Sequence, residues 1–329
     1  MSLRTRLTQR LGIEHPILSA PMGAIAGGRL AAAVTQAGGL GLIGAGYGDA
    51  DWLEREFGAA GNSRVGCGFI TWSLARSPEL LDEVLNRSPA ALMLSFGAPA
   101  PFAGRIKAAG IPLICQVQTM AHVREALAAG ADVIVAQGSE AGGHGALRAT
   151  FTLVPEVADH LRKASPDTLL VAAGGVGDGR GLAAALMLGA DGVLVGSRMM
   201  ASEEALTPPG FQKAIVAADG DSTVRTKAVD TVRGITWPDG FTGRAIATDF
   251  VKEWHGRDAE LAEPAVQARE QERFWKAFHA GEADRTGVFF GEVAGLVHAV
   301  RPADEIVRDM AQEAERLLRK GTEKIVIYG

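Results

Sequence analysis

Apolar residues in this chain fall in short consecutive runs, and most of those runs begin a few residues after a glycine that closes a helical stretch. Four segments repeat the pattern: Ala37-Gly-Gly-Leu-Gly-Leu-Ile43, Ala109-Gly-Ile-Pro-Leu-Ile114, Ala129-Gly-Ala-Asp-Val-Ile-Val135 and Leu188-Gly-Ala-Asp-Gly-Val-Leu-Val195. Glycine just past a helix end takes up the left-handed backbone at low steric cost. A run that is apolar at consecutive positions predicts a strand covered on both faces, as in a parallel sheet. Extended along the chain, this reading gives eight strands, near 16–21, 40–44, 65–70, 91–96, 112–117, 132–137, 169–174 and 192–196. Helical stretches of roughly ten residues separate most of them.

Eight βα units in about 200 residues favour an α/β fold of the TIM (β/α)8 barrel type over an open doubly wound sheet. In such a barrel the loops after the strands share one face, which would gather Met22, Gly68, Gln116, His144, Gly175 and Ser197. Residues 203–290 break the rhythm with Pro208-Pro-Gly210, a polar stretch from Thr223 to Thr231 and a charged, Trp-containing stretch from Trp254 to Trp275. They are expected to form an inserted helical subdomain that shapes substrate access, with 1–202 and 291–329 making the barrel. The last outer helix is predicted over Pro302–Gly321, with Ile306, Met310, Ala314 and Leu317 on one face.

Composition narrows the class. The chain has 329 residues, 47% of them hydrophobic and 22% charged, enough for a large core. Its 33 basic and 38 acidic residues give a net charge of −5 with no basic stripe, which argues against a nucleic-acid partner. The N-terminal Met1-Ser-Leu-Arg-Thr-Arg-Leu-Thr-Gln-Arg10 is too polar for a secretory signal and the apolar runs are too short to span a membrane, so a cytoplasmic protein is expected. Cys67 and Cys115 sit inside predicted strands and read as reduced core thiols.

Two stretches carry candidate chemistry. Gln137-Gly-Ser-Glu-Ala-Gly-Gly-His-Gly145 follows the strand Asp132-Val-Ile-Val-Ala136 and presents one imidazole beyond a glycine-rich backbone. With no His, Cys or Asp at ligand spacing, His144 suggests neither a metal site nor a triad. It is left as general base, general acid or hydrogen-bond donor to a negative substrate. The other histidines, His15, His122, His160, His255, His279 and His298, read as residues of helices and connections. The second stretch, Val171-Ala-Ala-Gly-Gly-Val-Gly-Asp-Gly-Arg-Gly181, opens a strand into glycines ahead of a helix, and Gly196-Ser197 ends the next strand. Backbone N–H groups at a helix start and between the last two barrel loops suit a phosphate. A dinucleotide fingerprint does not fit, because Arg180 stands where the third small residue after Gly175-x-Gly177 would be.

Taken with Ala20-Pro-Met22 and Ala190-Asp-Gly-Val-Leu-Val-Gly-Ser-Arg198, these motifs resemble the nitronate monooxygenases, formerly called 2-nitropropane dioxygenases. The resemblance implies a barrel that binds FMN and oxidises alkyl nitronates with dioxygen to a carbonyl compound and nitrite. It would put Ala20, Pro21 and Met22 against the flavin ring, Gln116 and Gln137 at its polar edge or ribityl chain, and Ala141 and Gly142 beside the ring. Gly174, Gly175, Gly196 and Ser197 would hold the phosphate, Gly68 would follow by position, and His144 would be the catalytic histidine. Two departures stand out: Gln116 where a basic residue or other polar group is expected in some relatives, and Glu292 in Gly291-Glu-Val-Ala-Gly295 where many resemble Gly-Gln-x-x-Gly. Trp72 and Trp237 are candidates for an apolar substrate wall. Two alternatives remain open: an NAD(P)H-using flavin reductase, such as an enoyl-ACP or quinone reductase, and a flavin-free phosphate-binding lyase or isomerase. The sequence is also compatible with a homo-oligomer.

Overall fold

The computed structural model describes residues 3–321; the extremes of the expected barrel segments, 1–2 and 322–329, lie outside them. All eight expected strands form: β1 Ile17–Ser19, β2 Leu42–Gly44, β3 Gly66–Ile70, β4 Leu92–Ser95, β5 Leu113–Val117, β6 Val133–Gln137, then β8 Leu169–Ala173 and β9 Gly192–Val195, with a short β7, Gly143–Gly145, between. The eight are parallel neighbours in the order β1-β9-β8-β6-β5-β4-β3-β2, and a parallel bridge from Leu18 to Leu40 joins the two ends. The result is a (β/α)8 barrel.

Consecutive apolar residues in each strand serve two layers, because successive side chains point to opposite faces. Val133, Val135, Leu169, Val171 and Leu194 point into the barrel with Met93 and Ile114, and Leu7 and Leu11 of the first helix, Arg6–Leu11, join that cluster. Ile134, Ala136, Leu170, Ala172 and Val193 point outward to the surrounding helices. Cys67 and Cys115 belong to the outward layer as free, buried thiols, and burial pushes both up to about 12. Neither should react with a thiol reagent at pH 8 until the protein unfolds, when both should; labelling of the native protein, read by intact mass, would contradict this.

The C-terminal helix runs Ala303–Lys320, with Ile306, Met310 and Ala314 buried on the expected face and Leu317 partly so. It packs on the helix Gly179–Met187 so closely that a Cβ at Gly179 would come within 2.5 Å of Glu313 Cβ.

Residues 203–290 are helical for much of their length, including Pro209–Ala217, Ala228–Val232 and Pro264–Ala280. They also contribute two strands, β10 Thr223–Thr226 and β11 Thr242–Ile246, which a reading of this stretch as helical did not include. β11 lies between β10 and β7 in a three-stranded antiparallel sheet that registers His144 opposite Gly243. A strand from beyond the eighth barrel strand thus holds the loop that leaves β6.

Candidate active site

At the C-terminal ends of the barrel strands lies a cavity of about 560 Å3, within the usual range for small-molecule and cofactor sites. The residues expected to hold the cofactor and the catalytic histidine all line it: Ala20, Pro21 and Met22 after β1, Gly68 in β3, Gln116 in β5, Gln137 ending β6, Ala141, Gly142 and His144 in the following loop, Gly174 and Gly175 after β8, and Gly196 and Ser197 after β9. Gly68 has a packing reason of its own, since a Cβ there would sit 2.3 Å from Pro21 Cγ.

The glycine turns form a cradle of backbone donors. Gly174 and Gly175 have φ of 93° and 76°, the left-handed region in which a side chain is strained. Among the described residues, the N–H groups of Gly174, Gly175, Gly196 and Ser197 donate to no other group. The first-turn amides of the helix Gly179–Met187, which the sequence also offered as phosphate donors, are already engaged. Gly179 N–H donates to Glu313 Oε2 at 2.8 Å, and Arg180 and Gly181 donate to the capping Asp178 Oδ1 at 3.0 and 3.2 Å. The free donors are therefore those of the turns, not of the helix. Gly142 closes the cradle's side: a Cβ on it would fall 2.5 Å from Gly291 N and 2.7 Å from Ser197 Oγ, which itself accepts from Gly291 N–H at 2.9 Å.

These features fit a phosphate-bearing cofactor with a flat ring. The residues with unengaged amides, Gly174, Gly175, Gly196 and Ser197, line the cavity, and small or apolar residues at 20–22, 141 and 142 line it beside them. Ser95 Oγ donates to Gln116 Oε1 at 3.0 Å, which leaves the Gln116 amide hydrogens for a ligand's acceptor. Gln137 is tied differently. Its Oε1 accepts from Gln118 Nε2 at 2.9 Å and its Nε2 donates to the His144 carbonyl at 3.1 Å, so it anchors the histidine loop from below.

His144 is the most constrained group on the wall. Its Nε2 lies 2.7 Å from Asp230 Oδ2, and Trp237 stacks on the imidazole at 3.5 Å between ring centroids with 8° between planes. Burial pushes the imidazole below its ordinary value; Asp230 pulls it back up in part, and Arg233 and Arg225 push it down again. Behind the loop, Arg225 and Arg244 both donate to the Ser139 carbonyl, and Arg225 also reaches the Gly145 carbonyl at 3.1 Å. Burial, with Arg244 beside it, brings the Arg225 guanidinium down to about 10.

Several of these residues were not foreseen from the sequence. Asp230 lies 86 positions from its histidine, and the available signal was only that it is the lone acid in the 223–231 stretch, flanked by Val229 and Thr231. Tyr47, Phe96, Arg233 and Phe289 also line the cavity. Phe96 carries a φ of 62°, unusual for a bulky residue, directly after β4. Of the two tryptophans considered for an apolar wall, Trp237 is on it and donates through Nε1 to Tyr47 Oη at 3.1 Å, whereas Trp72 packs against Tyr47 and Trp237 without lining the cavity. Glu292 is ion-paired with Arg244 at 2.8 Å.

Both the sequence and the fold have known relatives. The family model described as nitronate monooxygenase matches residues 4–61 and 76–313. A nitronate monooxygenase of Neurospora crassa is 33% identical over an alignment that takes in 92% of this chain and 90% of that protein. A Mycobacterium tuberculosis protein named as a hydroxy-methyl-oxo-octahydroindene-carboxyl-CoA dehydrogenase is also 33% identical, across 77% of this chain and 68% of its own. Among solved structures, FabK from Thermotoga maritima superposes with a TM-score of 0.83 at 30% identity, covering 97% of this chain and 98% of that one. The nitroalkane oxidase from Streptomyces ansochromogenes superposes at 0.76 with 25% identity, covering 94% and 98%. With a family model spanning most of the barrel and a relative aligned nearly end to end, the chain belongs to the nitronate monooxygenase family of oxidoreductases.

Proposed function

We propose that this protein binds FMN in the cavity above the barrel strands and oxidises alkyl nitronates with dioxygen, giving a carbonyl compound and nitrite. The observation that carries the reading is that one cavity is lined both by the unengaged amides of Gly174, Gly175, Gly196 and Ser197 and by the imidazole of His144. Those four residues would hold the phosphate; Ala20, Pro21, Met22, Ala141 and Gly142 would flank the ring, and Gln116 would meet its polar edge. Bound there, the flavin would supply the electron transfer, for which no side chain of the site is suited.

The chain's own residues would place and prepare the substrate. Trp237, Phe96 and Phe289 supply an apolar wall around His144, which favours the alkyl part of a small substrate and excludes water. With Nε2 committed to Asp230, His144 keeps Nδ1 for the substrate. That nitrogen accepts the α-proton of a neutral nitroalkane or, once protonated, donates to the negative oxygens of a nitronate. The His144 imidazole, held below its usual range mainly by burial, is neutral near pH 7 and so has a lone pair free to accept a proton. No helix among the described residues is long and apolar enough to cross a membrane.

Purified protein should be yellow, with an absorbance band near about 450 nm from the bound flavin. Under anaerobic conditions ethylnitronate or propionate 3-nitronate should bleach that band within seconds, whereas NADH and NADPH should leave it. Rapid bleaching by a nicotinamide nucleotide with none by nitronate would transfer the protein to the reductases of this fold. A colourless protein that takes up no FMN would sink the flavin reading.

A further inference from the structure

His144 is held from several directions at once. Its carbonyl is fixed by Gln137, one ring face is covered by Trp237, and Nε2 meets Asp230 Oδ2 at 2.7 Å with only 9% and 8% of the two side chains exposed. An ionised carboxylate can only accept hydrogen bonds, so a neutral imidazole facing it carries its proton on Nε2 and its lone pair on Nδ1.

We propose that Asp230 is the positioning residue of this site: it fixes the Nε2–H tautomer of His144, makes Nδ1 the atom that takes the α-proton of a neutral nitroalkane, and balances the imidazolium that results. The inference rests on the nitroalkane reading above. In this step the α-carbon–hydrogen bond breaks, its electron pair moves onto the nitro group to give the nitronate, and the proton passes to Nδ1. No oxidant is consumed. A preformed nitronate has no such proton to lose, so its oxidation does not call on the base.

The charged and titratable groups around the imidazole are Asp230 on the helix Ala228–Val232, Arg233 at that helix's C-cap, Arg225 on β10, and Tyr47 behind Trp237; Arg244 on β11 is committed to Ser139 and Glu292. Burial and the two arginines lower the imidazole, and Asp230 alone raises it. With nitroethane the rate climbs with pH as His144 loses its proton. Without Asp230 that limb moves to lower pH, because the one raising influence is gone, while the plateau falls.

The test compares Asp230→Asn and Asp230→Glu with the unaltered holoenzyme. In Asp230→Asn, kcat on nitroethane should fall by about 10²–10³-fold, within the range of general-base contributions, and the limb should shift to acid. Turnover of ethylnitronate should fall by less than about tenfold. Flavin content and melting temperature should hold, and Asp230→Glu should recover part of the nitroethane rate. Independently of turnover, ring-nitrogen NMR of histidine-labelled protein should show His144 protonated on Nε2, and on Nδ1 in Asp230→Asn. Equal losses on both substrates, or an Nδ1–H ring in the unaltered protein, would overturn the assignment. Failure of the unaltered protein to turn over either substrate would instead refute the proposed function, and the NMR result would still decide the role of Asp230.

Discussion

Replacing His144 by alanine is expected to leave FMN bound and to lower turnover of nitroethane by about 10²–10⁴-fold, the usual worth of a general base. The expectation follows from what remains when the ring is removed. The unengaged amides of Gly174, Gly175, Gly196 and Ser197 are backbone groups on other loops, so the phosphate cradle does not depend on the imidazole. Among the described residues, the other groups of the wall that could take a proton are Asp49, Glu140 and Tyr47, and Asp49 Oδ1 already accepts from Trp52 N–H at 3.0 Å as the cap of the helix Ala50–Ala60. Burial raises the Tyr47 phenol, and Glu140 is engaged by Thr150 through both carboxylate oxygens. Ethylnitronate, already deprotonated, should lose much less. Steady-state kinetics on the two substrates, with flavin content read from the visible spectrum, checks this. A variant that keeps nitroethane turnover within a few-fold would remove His144 from the role of base.

A methyl group at position 142 should disrupt cofactor binding. The added Cβ in Gly142→Ala would fall 2.5 Å from Gly291 N and 2.6 Å from the Phe290 carbonyl carbon, both backbone, so the neighbours cannot yield by rotating a side chain. Overpacking of this kind costs about 1–3 kcal/mol. Relief requires the 140–144 loop to part from Gly291, moving Ala141 and His144 relative to the turns after β8 and β9. Flavin affinity should therefore drop by about tenfold or more. Retention of FMN after dialysis measures it. Gly58→Ala is the matched control: it lies in the helix Ala50–Ala60 with nothing within 4 Å of its added Cβ, and should be neutral or slightly stabilising. Equal flavin retention in both variants would mean the 142–291 contact has no bearing on the cofactor.

The barrel was legible because its strands announce themselves twice, by a glycine closing the preceding helix and by consecutive apolar residues that only a doubly covered strand needs. The cavity lining was legible for a related reason, since barrel topology collects strand ends whatever their side chains. What escaped was contact between distant segments. Asp230 meets His144 only because β11 returns to pair with β7, and neither strand reads as one in sequence: Gly143-His-Gly145 is too short, and Thr242-Gly-Arg-Ala-Ile246 carries a glycine and an arginine. The helix at 179–187 misled for the opposite reason. Its glycine-rich start looks like an anion site, but Asp178 at its own N-cap and Glu313 from the C-terminal helix already use the amides.

Because Asp230, Trp237 and β11 all come from the stretch after the eighth barrel strand, recombination between relatives has a natural unit. A cassette running through 223–246 carries the carboxylate, the indole and the registering strand together, so acid–base competence and the shape of the alkyl wall would be inherited as one trait. A graft confined to the loop between Gly234 and Gly240 would transplant the donor's wall onto the recipient's own His144–Asp230 pair.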